Sequence, residues 1–103
     1  MATATLDEPV GPIRQRVAAS PYGFALIVAA DHTLLGRLRR AALDGDPTAR
    51  AADVMEAGPS TVRPDRSLTE LTARMRARDL RTVLVTDPEG KLLGVIRRDD
   101  LEA

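Results

Sequence analysis

Two pairs of adjacent arginines, Arg39–Arg40 and Arg97–Arg98, have the type and spacing best suited to chemistry in this chain. A guanidinium presents a planar fork of donors that matches a phosphate or a carboxylate. Fourteen of the 15 basic residues are arginine, which a GC-rich coding sequence would also produce. Adjacent arginines more often form a solvated face than a phosphate clamp. Their position in the fold therefore decides what they do.

Composition argues against other chemistries. The chain of 103 residues has no cysteine and one histidine, His32, which the pattern places in an exposed turn. We find no Ser/His/Asp or Cys/His arrangement, no metal-spaced cluster and no phosphate-binding glycine loop. The 15 basic residues balance 15 acidic ones, which argues against nucleic-acid binding. No apolar run approaches a membrane span and no signal peptide is evident, so we expect a soluble, cytoplasmic protein that is not an enzyme.

The sequence repeats itself at an offset of 58 residues. Residues 3–43 align with 61–101 without a gap, and 11 of the 41 positions are identical. Two copies are too few for a solenoid. They more naturally bury their apolar faces against each other, so we predict one pseudo-two-fold α+β domain. Leu26, Ile27, Leu84 and Val85 are expected in its core.

The second copy predicts a β-α-β-β-α order. Ser60–Arg63 begins it, and Ser67 with Glu70 forms a capping box ahead of a helix that ends near Arg78. Strands follow at Thr82–Thr86 and Leu92–Ile96, joined by a type I turn over residues 87–90. A last helix begins at Arg98. The apolar stripe of the first helix is Leu68, Leu71 and Met75.

The first copy repeats this order less clearly. Strands are predicted at Thr3–Thr5, Phe24–Val28 and Leu34–Leu38, with a looser turn at residues 29–32. Its helix carries the stripe Val10, Ile13 and Val17. We place the first repeat at residues 1–43, a linker at 44–58 and the second repeat at 59–103. Within the linker, Thr48 is expected to cap a helix over Ala49–Met55.

These features resemble those of a CBS domain, a family named for cystathionine β-synthase whose members usually occur as tandem pairs called Bateman modules. The resemblance rests on Ala52–Met55, on the repeated unit, and on the closing segment Gly94–Leu101. That segment is similar to the family signature Gly-x-x-(Ser/Thr)-x-x-(Asp/Asn), matched at Gly94 and Asp100. The resemblance covers both copies and essentially the whole chain.

The resemblance implies regulation by an adenine nucleotide, AMP, ADP or ATP, bound in a cleft between the repeats. Asp100 would accept the ribose hydroxyls, and Arg97 or Arg98 would meet the phosphates through charge-assisted hydrogen bonds. The base would lie against residues of the first two strands of the second copy. Those residues are Thr61, Val62, Thr82 and Val83.

The chain departs from the family signature in two ways. Arg97 and Arg39 stand where the signature has Ser or Thr, and Ala42 replaces the signature acid in the first copy. The bulk of an arginine could fill the cleft, or its fork could favour a polyphosphate. Ala42 cannot contact a ribose, so we expect at most one nucleotide per chain. The first copy also lacks an equivalent of the Val54-Met55 segment, because Met1 aligns with Pro59.

The sequence is compatible with two functions. The module either senses a nucleotide and acts through a partner protein, or it has lost its ligand and serves as a dimerisation scaffold. Asp100 favours the first, whereas Arg97 and Ala42 favour the second; a hydrolase or transferase is a distant third. In either case we expect a homodimer, with the two helix stripes as candidate contacts unless they are wholly internal.

Overall fold

The computed structural model describes residues 1–59, 61–64 and 67–102, and the chain divides into two compact units, Met1–Pro59 and Ser60–Ala103. Both units combine helices with a small sheet, which confirms the α+β class. Ser60, at the start of the first predicted strand of the second copy, lies outside the described residues, as does Ala103. Within the described ranges, no helix is both long enough and apolar enough to span a membrane.

The first unit contains a four-stranded sheet and three helices. Its strands pair in the order β1-β2-β3-β4, with β1 parallel to β2 and the other two pairings antiparallel. The elements in chain order are β1 (Ala2–Ala4), α1 (Val10–Ala18), β2 (Ala25–Val28), β3 (Leu34–Leu38), α2 (Arg40–Leu43), α3 (Ala51–Val54) and β4 (Glu56–Ala57).

The second unit repeats most of this arrangement with three strands. Its strands pair in the order β5-β6-β7, parallel and then antiparallel. The elements are β5 (Thr61–Val62), α4 (Leu68–Ala77), β6 (Thr82–Thr86), β7 (Leu92–Arg97) and α5 (Arg98–Glu102). The Ser67 hydroxyl accepts a hydrogen bond from the Glu70 amide at 3.1 Å, which confirms the predicted cap of α4.

Strand register repeats at the same offset of 58 residues as the sequence. In the hairpins, Ile27 faces Gly36 as Val85 faces Gly94, and both hairpins carry a bulge one step later along the strand. In the parallel pairs, Thr3 faces Leu26 as Thr61 faces Leu84. The duplication seen in the sequence is therefore a duplication of hydrogen-bonding pattern as well.

Apolar faces of the helices pack on the sheets in both units. The stripe of α1 is fully internal, as are Leu71 and Met75 of α4. Leu68 is the exception, because 64% of its surface is exposed. The four core residues predicted from the sequence, Leu26, Ile27, Leu84 and Val85, are all buried.

The linker folds differently from the prediction. Thr48 does not cap a helix: its amide and hydroxyl both donate to the Asp46 carboxylate, at 2.9 and 2.8 Å, in a local turn. The helix is shorter than predicted, Ala51–Val54, because Met55 is already extended (φ −75°, ψ 153°). Residues 56–57 then form β4 on the edge of β3. This strand was not predicted from the sequence, and its pairing makes the end of the linker part of the first sheet.

Both hairpin turns are closed by an equivalent backbone hydrogen bond and have a residue of positive φ at the aligned position. The Gly90 amide donates to the Asp87 carbonyl and the His32 amide to the Ala29 carbonyl, each at 2.9 Å. Gly90 and His32 both have positive φ, 86° and 73°. The first turn is therefore closed by the same bond as the second, contrary to the looser turn predicted. It places an exposed histidine in a conformation that favours glycine.

Candidate functional site

The candidate site lies where β6 begins and β7 ends. Thr82 faces Arg97 across the β6–β7 ladder. The Arg98 amide donates to the Arg81 carbonyl at 2.8 Å, which fixes the start of α5 beside the start of β6. Asp100 follows in the first turn of α5. The hairpin thus brings four of the predicted site residues, Thr82, Arg97, Arg98 and Asp100, to one end of the sheet.

Arg97 and Asp100 bind each other. The guanidinium donates through Nε to Asp100 Oδ2 at 3.1 Å and through Nη2 to Oδ1 at 3.2 Å. Both side chains are substantially exposed, 40% and 60%. An exposed pair of this kind contributes only about 0.2–1 kcal/mol. A ligand could therefore exchange partners with either side chain at small cost.

Arg98 lies beside an acidic residue from the turn after α4. Its Nη1 is 3.6 Å from Asp79 Oδ1, and the side chain of Asp79 is almost fully exposed. The Arg98 side chain as a whole is largely covered, at 22% exposure. Asp79 was not identified from the sequence, and its φ of 52° marks it as a turn residue. Two arginine–carboxylate pairs, Arg97–Asp100 and Arg98–Asp79, thus lie at this end of the sheet.

The predicted base-contacting residues differ in accessibility. Thr61 is exposed on β5, whereas Thr82 is partly covered. Val62 and Val83 belong to the hydrophobic core of the second unit, at 6% and 7% exposure. Their side chains pack inside the unit, so only their backbone groups remain as candidates for contact with a ligand.

The equivalent position in the first unit has a different carboxylate. Arg39, which aligns with Arg97, donates through Nε to Glu56 Oε2 at 2.7 Å. Arg37 donates to Glu56 Oε1 at 3.0 Å, and its guanidinium lies 5.7 Å from the centre of the Phe24 ring. The hydrogen bonds from Arg39 and then Arg37 lower the pKa of Glu56 below its ordinary value. Ala42 contributes no polar side chain here.

Sequence reasoning missed Glu56 because its partners are 17 and 19 residues away. Only the pairing of β4 with β3, which places Glu56 opposite Arg37, brings them together. The Arg97–Asp100 pair had a signal in its i,i+3 spacing at the start of a helix. In the part of the chain that the structure describes, no group of three or more His, Cys, Asp or Glu residues could hold a metal ion.

Two α+β units with one register, each with an arginine–carboxylate pair at the end of its hairpin, define a duplicated domain. The family model described as "CBS domain" matches residues 51–102, half of the chain. The chain belongs to the CBS domain family.

Solved structures show the same fold over nearly the whole chain. The cytosolic domain of the Mg²⁺ channel MgtE in complex with ATP is 23% identical, with a TM-score of 0.86, and the match covers 98% of this chain and 43% of that one. CBS domains of a transcriptional regulator from Streptococcus pneumoniae are 22% identical (TM-score 0.83, 95% and 83% covered). CBSX2 in complex with AMP is 17% identical (TM-score 0.82, 97% and 83% covered).

These matches establish the fold of a CBS pair. The chain spans less than half the length of the MgtE domain and of the soluble part of a magnesium transporter that it also matches. No curated protein matches the chain.

Proposed function

We propose that this chain is a regulatory module that binds an adenine nucleotide, AMP, ADP or ATP, at the end of β7 in its second repeat. The observation that carries the proposal is the juxtaposition of Arg97, Arg98 and Asp100 where β7 meets α5. The fold adds support, since two solved structures with this fold are complexes with ATP and with AMP. The module regulates a partner protein that is still unidentified, and it has no catalytic role of its own.

Each side chain has a role that its chemistry allows. The Asp100 carboxylate accepts hydrogen bonds from the two vicinal hydroxyls of the ribose. Arg97 and Arg98 donate to the phosphates. These bonds are charge-assisted, and charge-assisted hydrogen bonds are about twice as strong as neutral ones. The base lies against Thr61, Thr82 and the backbone of Val62 and Val83.

The Arg97–Asp100 pair sets a preference among nucleotides. While the two side chains bind each other, the carboxylate is less available to a ribose. A phosphate that takes over the Arg97 fork releases Asp100 at the small cost of an exposed pair. We therefore expect affinity to fall in the order ATP, ADP, AMP, adenosine.

Titration calorimetry with these four ligands tests the proposal. A hydrogen bond to a charged group contributes about 1.5–3 kcal/mol, so Asp100→Ala should weaken binding roughly ten- to a hundred-fold. Arg97→Ala should reduce the advantage of ATP over adenosine. Ala42→Ser is the matched control in the first repeat and should leave affinity unchanged. If no nucleotide binds, or if Asp100→Ala binds as well as the wild type, the proposal is wrong.

A second candidate function is a dimerisation scaffold without a ligand. Two observations favour it. Arg97 and Asp100 are hydrogen-bonded to each other, and the first repeat has Ala42 in place of the signature acid. We propose a homodimer under either function. Of the six helix-stripe residues considered as contacts, five are internal and Leu68 alone is exposed. Light scattering of the wild type and of Leu68→Asp measures this: a wild type that stays monomeric at micromolar concentration excludes the dimer.

The boundaries of the two repeats follow from the alignment of the two copies. We propose repeats at residues 1–43 and 59–103, joined by a linker at 44–58 whose last residues complete the first sheet as β4. We also propose that the module acts in the cytoplasm. This rests on its likeness to a cytosolic domain.

A further inference from the structure

Equivalent strands of the two units have different neighbours on their outer side. In the first unit, β4 pairs with β3, so that Gly36 faces Ala57 and Arg37 faces Glu56. In the second unit, β7 is the last strand of the sheet, and no described residue pairs with its outer side. A strand with an unpaired side is a template for another extended segment.

The glycines that align in the two strands show how this side is filled. A Cβ added at Gly36 would lie 2.5 Å from Met55 Sδ and 3.0 Å from the Glu56 carbonyl oxygen. Met55 and the β4 backbone therefore pack directly on Gly36. A Cβ added at Gly94 would meet nothing within 4 Å. The surface that Met55 fills in the first unit is open in the second.

The bulge residues point to the same difference. The Gly58 amide donates to the carbonyl of Leu35, the bulge residue of β3, at 3.4 Å. The aligned residue of β7 is Leu93, whose side chain is 55% exposed. Among the residues whose burial the structure describes, Leu68 and Leu93 are the large apolar residues with more than half of their surface in solvent.

We propose that the outer side of β7 docks an extended polypeptide segment with the chemistry of residues 54–57. Such a segment would add a fourth strand, place a long apolar side chain over Gly94 and Leu93, and bring a carboxylate toward Arg97. Backbone hydrogen bonds supply affinity in this mode of recognition, and alternate side chains supply specificity. The proposal concerns a surface of the second unit and does not depend on nucleotide binding.

Charge favours an acidic segment over a second copy of β7. Residues 91–98 include Lys91, Arg97 and Arg98 and no acid. Two β7 strands paired antiparallel about Gly94 would place Arg97 of each opposite Lys91 of the other. Like charges directly opposite each other destabilise a sheet. A segment with a glutamate after its apolar residue, as in Met55-Glu56, avoids that repulsion and offers a partner to Arg97.

A peptide with the sequence of residues 50–59 tests the proposal on the full chain. We expect titration of the peptide to shift the amide resonances of residues 93–97 and to slow their hydrogen exchange. A peptide with Met55→Asp should bind at least ten-fold more weakly, and one with Glu56→Lys several-fold more weakly. A flexible tether that joins the peptide to Ala103 raises its effective concentration to the millimolar range and should make the protection complete.

A protein variant serves as the matched control. Gly94→Val fills the surface that the apolar side chain would occupy, and nothing within 4 Å opposes the new Cβ. This variant should remain folded and lose at least ten-fold in affinity for the peptide. Unshifted β7 resonances with the tethered peptide, or equal binding by Gly94→Val, would overturn the proposal. So would β7 amides already protected without peptide in a concentration-dependent manner, which would identify a second copy as the occupant.

Discussion

The two repeats share one hydrogen-bonding register and differ in what their equivalent side chains contact. Arg39 and Arg97 occupy the same place at the end of a hairpin, and each binds a carboxylate. In the first repeat the carboxylate comes from β4, through Glu56. In the second it comes from α5, through Asp100. The aligned arginine therefore has an acidic partner in both repeats, but a different element of the fold supplies that partner in each.

This difference separates a structural repeat from one that keeps a candidate ligand group. Glu56 is tied to two arginines and belongs to a strand that completes the sheet. Asp100 has its Arg97 partner three residues away and remains 60% exposed. In the first repeat the pair joins the end of β3 to β4, although the Arg39 and Glu56 side chains are themselves 62% and 44% exposed. In the second repeat the pair joins the end of β7 to α5 and keeps a carboxylate at the position of the signature acid.

The largest difference between the repeats should appear at aligned residues Val10 and Leu68. Val10 is fully buried, whereas Leu68 is 64% exposed. Val10→Ala removes two buried carbons and leaves a cavity, so it should cost about 2–3 kcal/mol. Leu68→Ala should change stability by less than about 0.5 kcal/mol. Urea unfolding of both variants measures this, and equal losses would mean that Leu68 is covered in solution.

Aligned glycines provide the next contrast. Gly36→Ala would force its Cβ against Met55 and the Glu56 carbonyl, so it should cost about 1–2 kcal/mol. Gly94→Ala meets no such contact and should be neutral or stabilising by about 0.5 kcal/mol, because alanine has fewer unfolded conformations. Met55→Ala should relieve much of the penalty at Gly36. A double-mutant cycle measures that coupling, and additive losses would contradict the packing described.

Much of the fold could be predicted from the sequence because it rests on local signals. The Ser67–Glu70 cap, the stripe of α1 and the turn at residues 87–90 each depend on residues close together in the chain. β4 could not be predicted. It has two residues, and its stability comes from pairing with β3 about 20 residues earlier rather than from its own composition.

The candidate site was predictable to the same extent. Arg97 and Asp100 follow from their spacing and from the family resemblance, and the hairpin register brings Thr82 beside them. The burial of Val62 and Val83 depends on how β5 and β6 pack against α4, and no short sequence pattern specifies that packing. Glu56 required knowledge of β4. Contacts set by strand pairing over long separations are what the sequence does not reveal.

The two hairpin turns should show a smaller effect on stability when the aligned residues His32 and Gly90 are exchanged. His32 and Gly90 align and both have positive φ. A left-handed conformation costs a non-glycine residue about 1–2 kcal/mol, and glycine pays about 0.5–1 kcal/mol in entropy. His32→Gly should therefore stabilise the chain by about 0.5–1 kcal/mol, and Gly90→His should destabilise it by a similar amount. Thermal unfolding of the two variants checks this, and a drop in melting temperature for His32→Gly would disprove it.

The smallest effect concerns pH and the Glu56 carboxylate. Hydrogen bonds from Arg39 and Arg37 lower the pKa of Glu56 in the folded chain. A carboxyl group with a lowered pKa stabilises the fold above its ordinary, unfolded pKa, which is 4.5 for this glutamate. This contribution is lost as the pH falls through the pKa of the folded chain. Glu56→Gln should thus be less stable than the wild type near pH 7. The loss in free energy of unfolding should not exceed the roughly 0.2–1 kcal/mol that an exposed ion pair contributes.

That deficit in stability should shrink as the pH falls below about 4.5, because the Glu56 carboxyl of the wild type then becomes protonated and is as uncharged as the glutamine of the variant. Urea unfolding of the wild type and Glu56→Gln between about pH 3 and pH 7 follows the difference directly. Asp100→Asn is the companion variant, since it removes the carboxylate partner of the aligned arginine without touching a sheet edge. It should cost less than Glu56→Gln near pH 7, because Glu56 serves two arginines and Asp100 is paired with a neighbour on the same short segment. A deficit for Glu56→Gln that stays constant across this pH range would mean that Glu56 acts through packing in β4 and not through its charge.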